Sequence, residues 1–176
     1  GKGTYCSSAG YTTGGGGGGN GTAGASLSIN YYSYYSGCYS CAGGAAGPLQ
    51  GNAHDLFVEP GGSGGTGCAS TSSTCNPVAG GKGGGAVRLL AVDKVTVYGA
   101  VLADGTAGAA AASGAGGGGG AGGGVLIMAP EVDISSTASV SALSGTGGVG
   151  YQASTYNCSG PTGNPTNRCS GGNGGL

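Results

Sequence analysis

Three glycine tracts limit what this chain can become: Gly14–Gly19, Gly80–Gly85 with Lys82 inside it, and Gly116–Gly124 with Ala121 inside it. Glycine opposes helix by about 1 kcal/mol per residue relative to alanine. Ordering a backbone costs about 1–2 kcal/mol per residue, and glycine sits at the expensive end of that range. Side-chain burial cannot offset this here. Glycine supplies 48 of the 176 residues, while Leu, Ile, Val and Phe together supply 24. A chain of this length would ordinarily bury a sizeable apolar core. Whatever orders the tracts must therefore act through the backbone. The expected form is an extended, polyproline-II-like chain with three residues per turn, in which bare tracts approach closely and exchange N–H···O=C bonds.

Composition removes several classes. Charged residues make up 6% and the formal net charge is -1, which excludes a basic nucleic-acid surface and a charge-expanded disordered tail. The apolar stretches are far shorter than the roughly 20 residues of a membrane span. Collagen needs glycine at every third position, and the unbroken runs violate that rule. The missing initiating Met and signal peptide read as a processed product or a piece of something longer.

Order is clearest in the second half, where one unit occurs twice. Residues 83–108 read GGGAVRLLAVDKVTVYGAVLADGTAG, and residues 122–148 read GGGVLIMAPEVDISSTASVSALSGTGG. The glycine triplets start 39 residues apart, and Val101 and Val140 keep that offset. Each unit runs from a glycine tract through short strands back to a glycine tract, as stacked repeats do. Ala86–Val92, Val95–Val101, Val125–Met128, Val132–Ile134 and Val140–Ala142 read as strands, their β-branched alternation implying one buried face. No stretch carries a helical apolar stripe, and the alanine-rich segment from Ala107 to Ala115 is too short to hold a helix. The whole is expected to be all-β: a short-stranded, solenoid-like repeat with ordered polyglycine tracts and disulfide-closed loops. Residues 1–80 form a Tyr/Cys-rich region, with a strand expected from Ala25 to Ile29 and a degraded repeat copy after the first tract. Residues 81–150 hold the two repeats, and 151–176 a disulfide-closed C-terminal segment, all in one folded unit.

Seven cysteines (Cys6, Cys38, Cys41, Cys68, Cys75, Cys158 and Cys169) in a chain so poor in core read as crosslinks made in an oxidising, extracellular setting. Spacing favours local loops, Cys68 with Cys75 and Cys158 with Cys169. The odd number leaves one thiol free or bonded to another chain. A redox reading of C-Y-S-C at Cys38–Cys41 lacks the βαβ context it needs, and a zinc site lacks four ligands at ordered spacing. Asn20-Gly21-Thr22 and Asn157-Cys158-Ser159 are N-glycosylation sequons that agree with the compartment.

Chemistry-bearing residues are sparse. His54 beside Asp55 is the only histidine, and no serine lies in a nucleophile elbow. Glu131 and Asp133 lie close together, but read as a solvated turn into a strand and not as a glycosidase pair. Asp104-Gly105 reads as a turn. G-K-G-G-G at Gly81 lacks the ending of a phosphate loop, and no calcium loop is present. The sequence thus points to no enzyme, no metal and no cofactor. Its most suggestive surface feature is Tyr31, Tyr32, Tyr34, Tyr35 and Tyr39. These are suited to a protomer interface, to stacking on sugars, to oxidative crosslinking, or to covering a glycine-rich layer.

The tract followed by A-V-R-L-L-A and V-T-V-Y-G-A-V-L-A-D-G-T-A-G resembles the glycine-rich repeat regions of large secreted surface proteins, adhesin-like and fibre-forming, of microbes that include protists and algae. The likeness covers residues 83–148 and is one of composition and period. It implies a β-solenoid-like or layered β/polyglycine architecture, a structural role at the cell surface or outside it, and no catalytic residues. The expected function is a structural subunit of an extracellular filament, appendage or coat. Its partners would be copies of itself, with N-glycans or surface glycans. The alternative is an extracellular binding module, a glycan adhesin or an ice-binding protein, although the T-x-T ladder of an ice-binding face is missing.

Overall fold

A glycine tract presents nothing but peptide groups, so its structure is decided by where those groups find partners. The computed structural model describes residues 15–20, 23–25, 45, 47–48, 57–69, 76–112, 114–150 and 174, together with backbone pairing at 5–6, 11–12, 28–33 and 37–42. No helix occurs among them. The tract at 114–124 runs through the middle of the fold, and its partners change with every residue and return after three. Gly118 and Ala121 donate to Gly65 and Gly62 (2.8 and 2.9 Å) and accept from Gly81 and Gly84 (both 2.8 Å). Gly117, Gly120 and Gly123 donate to Ala109, Thr106 and Ala103 (3.1, 3.0 and 2.7 Å), while Gly148 and Gly145 donate back to Gly117 and Gly120 (2.7 and 2.8 Å). Gly116 and Gly119 accept from Gly15 and Gly18 (3.3 and 2.9 Å). A β-strand repeats every two residues; this backbone repeats every three, the repeat of polyproline II.

Segments 15–20, 61–69, 79–85, 103–111 and 142–149 thus surround the central tract, and they are bonded to one another around it. Gly62 and Gly65 donate to Gly19 and Gly16, Gly61 and Gly64 to Gly84 and Gly81, Thr106 and Ala109 to Lys82 and Ala79, and Gly105, Gly108 and Ala111 to Leu143, Thr146 and Val149. The alanine-rich stretch is therefore one of the extended tracts. Closeness, more than conformational freedom, is what demands glycine. Among the described residues only Gly114 has a left-handed backbone, with φ 87°. Cβ atoms added to Gly118, Gly119 and Gly120 would strike the carbonyl oxygens of Gly16, Gly145 and Lys82, on three different sides.

Among the described residues there are twelve strands: β1 (Tyr5–Cys6), β2 (Tyr11–Thr12), β3 (Ser28–Ser33), β4 (Gly37–Ala42), β5 (Gly67–Ala69), β6 (Asn76–Val78), β7 (Ala86–Leu90), β8 (Lys94–Val97), β9 (Ala100–Leu102), β10 (Gly124–Met128), β11 (Glu131–Ile134) and β12 (Ser139–Ser141). They form six two-stranded sheets. β1–β2, β3–β4 and β5–β6 are antiparallel hairpins. The two repeats lie side by side, with β7, β8 and β9 paired in parallel to β10, β11 and β12. Below, unit one is residues 79–111 and unit two is residues 114–150.

Register departs from the single offset of 39. Ala86 faces Gly124 and Lys94 faces Glu131, offsets of 38 and 37, while Val101 faces Val140 at 39. The glycines are shifted too, since Gly84 donates to Ala121, 37 positions on. Turns of slightly different length between strands absorb the differences. In the first half the tract at 15–20 joins the bundle, and β3 pairs antiparallel with β4. Strand alternation also buries less than expected. Val87 and Leu89 are half-buried between exposed neighbours in β7, yet all four residues of β11 are exposed. The buried apolar residues are instead small: Ala103, Ala111, Ala115 and Ala121, with Cys68, Val78 and Val97.

Alanine substitutions separate the two kinds of glycine. Gly120→Ala should destabilise the fold by about 1–3 kcal/mol through overpacking against backbone. Gly85→Ala, with nothing within 4 Å of the added methyl, should be neutral or stabilising by up to about 1 kcal/mol, because it restricts the unfolded chain. Denaturant unfolding of both variants measures the difference, and equal effects would mean that the close approach does not exist.

Candidate functional site

The surface with the most unusual chemistry is the one made by the stacked strands. Charge is divided between the units. Unit one carries Lys82, Arg88 and Lys94 with Asp93 and Asp104; unit two carries Glu131 and Asp133 and no Lys or Arg. Parallel register brings the two sets together at β8 and β11. Lys94 Nζ bonds Glu131 Oε1 and lies 3.6 Å from Asp133 Oδ2. The side chains are 39%, 65% and 54% exposed, so water screens the cluster and each pair is worth about 0–1 kcal/mol. One cation serves two carboxylates.

A stronger tie lies below it. Asp104 follows β9, where unit one turns into its return tract, and its carboxylate reaches across to unit two. Ser141 Oγ donates to both oxygens (2.7 and 2.9 Å), and the Leu143 N–H donates to Oδ1 (2.7 Å). Hydrogen bonds to an ionised acceptor are stronger than neutral ones. Asp104 is therefore a clamp between repeats and not merely a turn residue. Its spacing of 37–39 positions from Ser141 and Leu143 is the repeat offset, the one signal in the sequence that could have revealed it.

Around these polar ties the surface is apolar. Val92 is 98% exposed and Tyr98 76%, Leu90, Leu102 and Leu143 are each more than half exposed, and Ile134 is half exposed. Parallel strands are ordinarily covered on both faces. Here, among the described residues, the outer edges of β7–β9 and of β10–β12 have no strand partner.

The residues singled out from the sequence are scattered relative to this surface. Tyr31 and Tyr32 lie in β3 and Tyr39 in β4, with Tyr31 opposite Tyr39 and Tyr32 opposite Cys38 in the hairpin register. Tyr34 and Tyr35 lie outside the described residues. Cys6 lies in β1, and Cys38 and Cys41 in β4. Cys68, in β5, is fully buried and disulfide-bonded, and its backbone exchanges two hydrogen bonds with Ala115 at the start of the central tract (3.1 and 2.9 Å). Cys75, Cys158, Cys169, Asn157, His54 and Asp55 lie outside the described residues. Asn20 is 8% exposed and its Nδ2 donates to Gly122 O (2.8 Å). Asn20, at the end of the first tract, is thus buried with its side-chain amide against Gly122 of the central one. Among the described residues no cluster of three or more His, Cys, Asp or Glu could hold a metal ion. None of their helices could cross a membrane, since there are none. Comparison with protein-family models, with curated proteins and with solved structures found no match.

The two polar ties should differ in weight. Asp104→Ala should lower stability by about 1–3 kcal/mol, because it removes the bonds that Ser141 and the Leu143 N–H make to a charged acceptor. Lys94→Ala should cost no more than about 1 kcal/mol. Chemical denaturation of the two variants decides between them, and a larger loss for Lys94 would reverse the assignment.

Proposed function

We propose that this chain is a structural subunit or module of an extracellular filament, appendage or coat, a short solenoid-like β stack standing on polyproline-II-like glycine tracts. The observation that carries this reading is the central tract, bonded on all sides through its own peptide groups. A chain that packs backbone against backbone needs no large side chains for cohesion and gains from every neighbour it acquires. Stacked repeats of this kind gain stability from nearest-neighbour contacts. The open outer edge of β7–β9 and the apolar residues around it fit a surface meant to be covered. The disulfide at Cys68 and the high cysteine content agree with an oxidising, extracellular location. Cysteine crosslinks would close the loops at 68–75 and 158–169, and an unpaired thiol would be available to join subunits. Asn157 is the better candidate of the two sequons for an N-glycan. The partners on this reading are copies of the chain itself.

Electron microscopy of the concentrated protein, beside non-reducing gel electrophoresis and sedimentation, tests the reading. Expected are filaments or sheets whose amount rises with concentration, with some subunits joined by disulfides. A monodisperse monomer at every concentration would refute it.

A further inference from the structure

Gly174 repeats, one layer further out, the position that Gly120 holds on unit one. Gly120 donates to Thr106 O (3.0 Å), and Gly174 donates to Gly145 O (3.0 Å). Thr106 and Gly145 are themselves 39 residues apart, the repeat offset. A Cβ on Gly120 would strike the carbonyl of Lys82, with the Gly83 nitrogen next; a Cβ on Gly174 would strike the carbonyl of Gly120, with the Ala121 nitrogen next. Lys82, Gly120 and Gly174 are therefore equivalent positions in three successive layers.

Gly174 is the one described residue of the third layer. Above it, all four residues of β11 are exposed, and no described strand pairs with the outer edge of β10, β11 or β12. We propose that this edge is the seat of a third tract-and-strand unit, whose tract is the one to which Gly174 belongs and whose strands carry the chemistry of unit one. Three observations on the edge select that occupant. The parallel, in-register pairing of unit one with unit two shows that such strands fit one another. Glu131 and Asp133 share a single lysine from below, so a cation in the position of Lys94 on the next layer would supply the second. Like charges placed opposite would instead be destabilising. Finally, Leu143 stands one repeat offset on from Asp104, and Leu102 is the register partner of Ser141. Where Asp104 meets Ser141 inside the stack, Leu143 would meet the counterpart of Leu102, and both leucines are more than half exposed. The polar clamp is exchanged for an apolar contact.

The inference goes beyond the filament reading, because it concerns growth of the stack within one polypeptide and not contact between copies. Its test is a graft: residues 84–111 of this chain joined directly after Gly175. The graft should raise the thermal unfolding midpoint of the whole chain and slow amide exchange at Val132 and Ile134 by at least tenfold. The same graft bearing Lys94→Glu in the added copy should show a smaller rise, while a scrambled graft of equal composition should show none. Unchanged exchange at β11, or proteolytic removal of the added unit at the rate of the scrambled one, would overturn the inference. So would protection of β11 in the ungrafted chain that appears only as concentration rises, since a second copy would then hold the edge. Failure of the graft leaves filament formation unaffected, and absence of filaments leaves the graft result unaffected.

Discussion

The fold depends on the hydrogen bond between one glycine tract and the next, made on three sides in turn. Each such bond contributes about 0.5–1.5 kcal/mol net of water, against about 1–2 kcal/mol to order each residue. The margin is thin and depends on how many peptide groups in the middle of the bundle find partners. In the central tract Gly117, Gly118, Gly120 and Ala121 each donate one bond and accept another, and Gly116, Gly119 and Gly122 each accept one. A methyl group along most of its length would force neighbours apart and cost the dispersion contacts as well as the bonds. Ala115 and Ala121 mark the two places where the tract admits one, and both are fully buried.

The strands depend on the tracts beneath them. Segment 79–85 leads into β7 and 114–124 into β10, so parallel packing of the tracts delivers the strands in parallel register. β9 and β12 then return the chain into 103–111 and 142–149, which are bonded to each other and to the centre. Asp104 fastens the return points of the two units. The result is a stack whose interior is peptide and small side chain, with the larger apolar residues left on the outside. Their placement here, with open strand edges beside them, supports a protein that completes itself by adding layers.

Much of this was legible in the residues. The tracts, the two units and the positions of β7, β10, β11 and β12 follow from glycine runs and β-branched alternation, which runs β8 and β9 together as Val95–Val101; the absence of helix among the described residues follows from glycine density. The partners of the tracts did not follow, because Gly118 and Gly119 are chemically identical in sequence yet face Gly16 and Gly145. A glycine carries no label for its neighbour; the label is its distance from the flanking strand. The same blindness hid Asp104, whose partner lies one repeat away, and the buried bond from Asn20 to Gly122, where the sequon pattern drew attention to glycan chemistry instead. Alternation overstated burial in β11 because it records that two faces differ, not that anything covers either of them. The tyrosine cluster at 31–39 remains a matter of sequence, beyond the pairing of β3 with β4.

Amide hydrogen exchange at Gly118, Gly120 and Ala121 tests the central claim most directly. If backbone bonds between tracts hold the fold together, these amides exchange only through global unfolding, and their protection rises and falls with overall stability. Exchange at the rate of an unstructured glycine peptide, while the amides of β7 and β10 stay protected, would contradict the account.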